Sequence, residues 1–448
     1  MDKQKKFKMK KPSKLARALA YLSLVVLISG DSLFGEDYIR ANPVWLLWLA
    51  GAITTVAGSI YFLTKSDWKR VVRQMPIELT LLLVLMIASS TWSAYPLQTL
   101  SGFSIQIGVA LIALFFAATF TWRQILNIFA NTIRGIVFGM LTIGVASAIF
   151  PVAKLSIEQS SVLIDFGLLR LMLGNPNLIS NNFVAALALI GVITFAIEAA
   201  IKKKTRALSL VSLVASIALV FVAKSAGMVF ASVAVLLAAI VSLAAEGKDK
   251  ATRHRYYRIA WSIAGVGVFL VLAFRKQVFE FLGKSPDMTH RTDIWQRVAD
   301  LIEVRPLEGW GFTGVWVPGV SPYEGLVIIN GEKYYQAHNA YLDMWLQLGA
   351  VGLILFVILL TRVFVKTWRL GVHHSNALYL WPLLLLVIQL VRGITESRLL
   401  VQSAMMMLIL FAVKSHDPAE LLEENFKKTK RKQLEQISQR PITRLIRR

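Results

Sequence analysis

Apolar stretches of about twenty residues recur along almost the whole chain, broken by short polar segments. An α-helix rises about 1.5 Å per residue, so each stretch is long enough to cross about 30 Å of hydrocarbon. About twelve such stretches can be read. They centre on Leu19 to Phe34, Val44 to Leu63, Leu79 to Thr91, Phe103 to Phe120, Ile133 to Phe150 and Leu178 to Ile197, then on Leu208 to Ala223, Val229 to Ala244, Ile259 to Phe274, Ala340 to Val363, Leu378 to Val391 and Leu399 to Val413. The third and eleventh are short. The N-terminal segment has a basic leader without a small-residue cleavage site, so it reads as a retained first span. The pattern predicts an all-α polytopic membrane protein. It divides into a bundle of about nine spans over 1–275, a large loop with short helices over 276–338, about three further spans over 339–414, and a basic tail over 415–448.

Composition agrees with a bilayer as solvent, with 56% hydrophobic and 17% charged residues. The net charge of +23 could suggest nucleic acid, but no basic stripe carries interleaved aromatics on a polar face. The cations fall instead between apolar runs. The leader, Lys65 to Arg73, Arg123, Lys202 to Arg206, Lys248 to Arg258, Arg362 to Arg369 and the tail occupy every second connection, which predicts that both termini and these loops are cytoplasmic. The segment 276–338 and the loop after Phe150 are then extracytoplasmic. Cysteine is absent, which excludes disulfides and thiolate metal sites.

Charges at mid-membrane depth are costly and usually functional, and the predicted spans hold few. Polar chemistry collects in the large loop. Asp287, His290, Arg291, Thr292 and Asp293 precede Ile294, Trp295, Val298 and Ile302, whose spacing predicts a short amphipathic helix starting near Arg291. There a guanidinium and a helix N-terminus could hold a diphosphate, or the arginine could simply contact headgroups. Arg305-Pro306 and Gly309-Trp310-Gly311 predict turns that end this helix. The stretch from Pro318 to Gln336 could gate an acceptor or cover the site.

His338 and Asn339 end the loop before an apolar helix in which Gly349 and Gly352 would allow close helix packing. Asn339 is a candidate N-cap, and His338 could take a proton from a hydroxyl near neutral pH. The loop from Pro151 to Pro176 adds Arg170, and Lys224 stands at another outer helix end. Either could contact phosphate or anchor at the interface. No histidine and carboxylate cluster with metal-ligand spacing falls outside, so no metal and no cofactor are expected.

The order His338-Asn339, nine residues, Gly349, two residues, Gly352 resembles the signature of the bacterial O-antigen ligase and polysaccharide polymerase superfamily. Thr289 to Trp295, Arg305 to Gly311, Trp92-Ser93 and the Asn175-Pro-Asn177 turn look like further landmarks of that family. The resemblance implies an inverting, metal-independent transfer of a glycan from an undecaprenyl-diphosphate carrier to a sugar or glycolipid acceptor outside the membrane. Nucleic acid has no part in it, and the remaining partners are membrane lipids. Carried over residue by residue, His338 would be the general base and Arg291 the clamp on the leaving diphosphate. Arg170, Lys224, Asn339 and Arg305 would serve substrate binding. His290 departs from the glycine that members often carry before the arginine, and would reshape the turn or join the site. Ligase and polymerase differ in acceptor, and both stay open. A transporter or flippase of lipid-linked sugars is the alternative class.

Overall fold

The computed structural model describes residues 12–33, 44–149, 181–281, 291–329, 332–373 and 376–415. Within them the chain is helical almost throughout. The first helices are α1 (Lys14–Leu33), α2 (Val44–Thr64), α3 (Trp68–Arg73), α4 (Ile77–Ala88), α5 (Pro96–Thr119) and α6 (Trp122–Ile149). They are followed by α7 (Asn181–Ile201), α8 (Arg206–Val222), α9 (Ala226–Ala245), α10 (Lys250–Ala273) and α11 (Arg275–Phe281). The loop contributes α12 (Arg291–Val304) and a small hairpin that pairs Ile328 with Lys333. The chain then returns through α13 (Ala340–His373), α14 (Leu380–Gly393) and α15 (Gln402–Lys414).

Among the described residues, seven helices are long and apolar enough to cross a membrane, which makes this an all-α, multi-pass membrane protein. The expected spans at Leu79, Leu208, Leu378 and Leu399 fall instead on the shorter apolar stretches Ile77–Thr91, Arg206–Val222, Ala377–Gly393 and Gln402–Lys414. At about 1.5 Å per residue, the 13 residues of α15 reach only about 20 Å. Its side chains are buried from Ala404 to Lys414, so α15 is a core helix surrounded by protein rather than by lipid. By contrast α10 buries no residue, although it is long and apolar.

Helix α6 begins at Trp122 rather than at Ile133, so Arg134 lies well inside it. Its charge is matched by Glu198 on α7, which also accepts from Lys202 at 2.7 Å and from Ser209 at 2.9 Å. At the same basic end of the bundle Arg362 of α13 meets Glu78 of α4 at 2.8 Å. These pairs tie four apolar helices together without leaving a lone buried charge.

The opposite end carries the loop. Ile294, Val298 and Ile302 are buried on one face of α12, as the spacing predicted, in a second small core with Tyr95, Trp316, Tyr323 and Leu346. The hydroxyls of Tyr95 and Tyr323 share a 2.5 Å hydrogen bond. Burial raises both phenols above the ordinary range, so the pair stays neutral and structural. Tyr323 and Val327 are both buried, so part of the stretch from Pro318 to Gln336 is packed down onto α12 and its neighbours.

The expected helix packing at Gly349 is replaced by a break in α13. Gly349 adopts φ 65° and ψ −172°, and a Cβ there would stand 2.0 Å from the Leu307 carbonyl oxygen. Breaking the helix frees backbone groups that need partners. The Leu346 and Gln347 carbonyls accept from the Trp310 and Gly311 amides at 3.0 and 2.9 Å, and the Ala350 amide donates to Pro306 at 2.8 Å. Gly309 fits here because its Cβ would lie 2.5 Å from the Gly349 nitrogen. One loop glycine, Gly309, and one helix glycine, Gly349, thus let two backbones cross in contact. Gly352 in turn leaves room for Leu348 across the break, 2.2 Å from its own missing Cβ.

Candidate active site

Local structure first fixes the backbone around His338. The Ala337 carbonyl accepts from Trp295 Nε1 at 3.0 Å, and its amide donates to Asp343 Oδ2 at 3.1 Å. Asp343 is itself held by Trp316 Nε1 at 2.6 Å. On the other side Asn339 caps α13, its Oδ1 accepting from the Tyr341 and Leu342 amides at 3.0 and 3.1 Å, while its own amide donates to Ser397 Oγ at 3.3 Å. Between these two anchors His338 is forced to φ 49°, a left-handed conformation that costs roughly 1–2 kcal/mol for a residue with a Cβ. The neighbours over-determine the turn, and the turn aims the ring.

The ring is aimed at Glu396, in the short connection between α14 and the turn Ser397–Leu400. His338 Nδ1 lies 3.3 Å from Glu396 Oε2, and Arg291 Nη2, at the first residue of α12, donates to Oε1 at 2.9 Å. Asn182 Nδ2 donates to the same Oε1 at 2.7 Å, and Ser225 Oγ steadies that amide by donating to Asn182 Oδ1 at 2.6 Å. The site therefore draws on α7, the start of α9, α12, the start of α13 and the end of α14.

Burial works against ionising Glu396, whose residue is only 4% exposed, but His338, Arg291 and Arg392 outweigh it and hold the carboxyl at about 2. An ionised carboxylate only accepts hydrogen bonds, so the bond to His338 requires Nδ1 to donate. A neutral imidazole with Nδ1 protonated leaves Nε2 as an acceptor. The carboxylate is buried beneath, while the side chains of His338 and Arg291 keep 19% and 18% exposure. That arrangement presents a base and a cation side by side over one shared carboxylate.

The residues singled out from sequence divide into groups. Arg291, His338 and Asn339 come together. Lys224 is exposed at φ 45° in the turn before α9. It precedes Ser225 of the Glu396 network, and Gly227 lies close enough to Thr395 that a Cβ would be 3.0 Å from its hydroxyl. Arg305 is engaged elsewhere: it donates to the Trp92 carbonyl at 3.2 Å and lies 4.5 Å over the Trp310 ring. Arg170 and His290 lie outside the described residues. Sequence reading missed Glu396 and Asn182. Only Glu396 left a signal, as an acid in a short polar break between two apolar runs.

Residues 180–357, less than half of the 448-residue chain, match the family model described as O-antigen ligase, so the likeness to the O-antigen ligase-like superfamily is carried by the region from α7 to the middle of α13. A Rickettsia felis protein named as a candidate polysaccharide ligase is 36% identical over 87 residues, 18% of this chain and 21% of that protein. The exopolysaccharide production protein ExoQ of Rhizobium meliloti is 33% identical over 85 residues, 18% of this chain and 20% of its own length. The chain thus spans about a fifth of the length of these curated relatives.

Proposed function

We propose that this protein is a membrane glycosyltransferase that moves a glycan from an undecaprenyl-diphosphate carrier to an acceptor sugar hydroxyl. The observation that carries this reading is the sharing of Glu396 by Arg291 and His338. His338 Nε2 takes the proton of the acceptor hydroxyl as its oxygen bonds to the anomeric carbon from the face opposite the diphosphate. The bond from that carbon to the diphosphate oxygen breaks, its electron pair leaves with the diphosphate, and the anomeric configuration inverts. Glu396 fixes the imidazole tautomer and stabilises the imidazolium that forms.

Arg291 stabilises the leaving group. One of its nitrogens serves Glu396, but a guanidinium has five N–H donors, so others remain for phosphate oxygens, and the N-terminus of α12 adds its dipole. A diphosphate leaves without protonation when its charge is neutralised, so this route needs no metal. Lys224, next in sequence to Ser225 of the Glu396 network, is a candidate for a second phosphate oxygen, as are Arg170 and His290. The alternation of basic connections supports a site on the extracytoplasmic side of the inner membrane, with both termini cytoplasmic.

The test is transfer by purified protein from a lipid-linked oligosaccharide. His338→Ala should lose product about a hundredfold to ten-thousandfold while donor binding persists. Unchanged transfer would remove the proposed base, and donor translocation without transfer would favour a flippase. Chain growth from lipid-linked repeat alone would mark a polymerase, and growth only after a second acceptor is added would mark a ligase.

A further inference from the structure

A cavity of about 980 Å³ opens between α9 and α10 on one side and α13 and α14 on the other. Its wall is apolar along most of its length, through Trp261, Phe364 and Leu390, and at the loop end it reaches Tyr341 and Ile394. At the basic end the lining changes to Lys250, Arg253 and His254 from α10 and Arg369 and His373 from α13, with no carboxylate among the lining residues.

Two physical arguments say what fills it. α10 buries no residue, so the apolar walls between it and α13 lie open to whatever surrounds the bundle. Water cannot satisfy such walls, and a void this large forfeits dispersion contacts on every side, so hydrocarbon chains must occupy it. Cations that merely follow the topological charge pattern project from helix ends into water. Here Arg253, half-buried, meets His373 across a single mouth with Nη1 2.9 Å from Nδ1, Tyr257 packs edge-on to Trp368 at 5.4 Å behind them, and the exposed Lys250 and Arg369 stand on the two opposite walls. Like charges gathered in one lining repel unless an anion lies between them.

We propose that this groove is a binding site for an anionic phospholipid of the leaflet at the basic end. Its phosphate lies among Lys250, Arg253 and Arg369, and its acyl chains run along α13 toward Tyr341. A basic pocket between membrane helices is the kind of site that takes such headgroups. The cationic mouth lies at the end of the groove away from Tyr341, Ile394 and the Glu396 centre, and the proposal stands whether or not the chain transfers glycans. The lipid would brace α10, which has little packing of its own.

The full-length protein in nanodiscs of phosphatidylcholine with added phosphatidylglycerol provides the test, with retained lipid counted by native mass spectrometry. The wild type should retain one phosphatidylglycerol in preference to phosphatidylcholine. Arg253→Gln with Arg369→Gln should bind it about thirtyfold more weakly, the change expected for two cations at a membrane surface, and Arg253→Lys with Arg369→Lys should keep most of the affinity. Equal retention of the two phospholipids by the wild type would overturn the proposal, as would unchanged retention in the glutamine variant. Recovery of a polyprenyl diphosphate from this groove in place of a phospholipid would overturn it as well.

Discussion

The ring of His338 faces the carboxylate of Glu396, 58 residues further along the chain, with Nδ1 3.3 Å from Oε2. The histidine precedes a long helix and the glutamate follows a short one. In the proposed reaction their meeting is what orients the histidine as a base.

Glu396→Gln keeps the side chain's shape but removes the charge that fixes the imidazole tautomer. Transfer activity should fall about a hundredfold or more with donor affinity changed far less, measured as kcat against KM. Glu396→Asp should recover part of the loss, and full activity in the glutamine variant would show that the carboxylate has no part in orienting His338.

Acid should act on the fold through the same group. Glu396 is lowered from its ordinary 4.5 to about 2, so its contribution is complete above 4.5 and is lost as pH falls toward 2. The melting temperature of the purified protein should therefore decline across that interval. In Glu396→Gln the decline should be shallower, and identical curves would rule the linkage out.

Arg291 and Arg305 should separate by readout. Arg291→Ala removes the cation proposed to hold the leaving diphosphate and should weaken donor binding about tenfold to a hundredfold. Arg305→Ala loses its stack on Trp310 and its bond to Trp92, so it should cost about 1–3 kcal/mol of stability and leave donor affinity nearly intact. Donor titration and thermal melts on both variants check the division.

Gly349→Ala should be severe. The added Cβ would sit 2.0 Å from the Leu307 carbonyl oxygen at a φ of 65°, and strain plus overlap should cost roughly 3 kcal/mol or more. Gly265→Ala is the control, because nothing lies within 4 Å of its missing Cβ and the change should leave the melting temperature unchanged or slightly raised.

Periodicity determined that this is a helical membrane protein and placed the amphipathic helix from Arg291, and residue type placed the cap at Asn339. These are local properties: apolar run length sets whether a segment suits a bilayer, and side-chain spacing sets which helix face is buried. The apolar pattern could not show that Gln402–Lys414 is enclosed by protein while Lys250–Ala273 buries no residue, since both runs are apolar and enclosure depends on neighbours remote in sequence. Tertiary structure alone decided that Gly349 breaks its helix to admit Gly309, because that contact joins backbones remote in sequence. It alone decided that Arg305 is spent on Trp92 and Trp310. And it alone supplied Glu396, since a carboxylate becomes the partner of Arg291, His338 and Asn182 only when four separate helices bring them to one buried point.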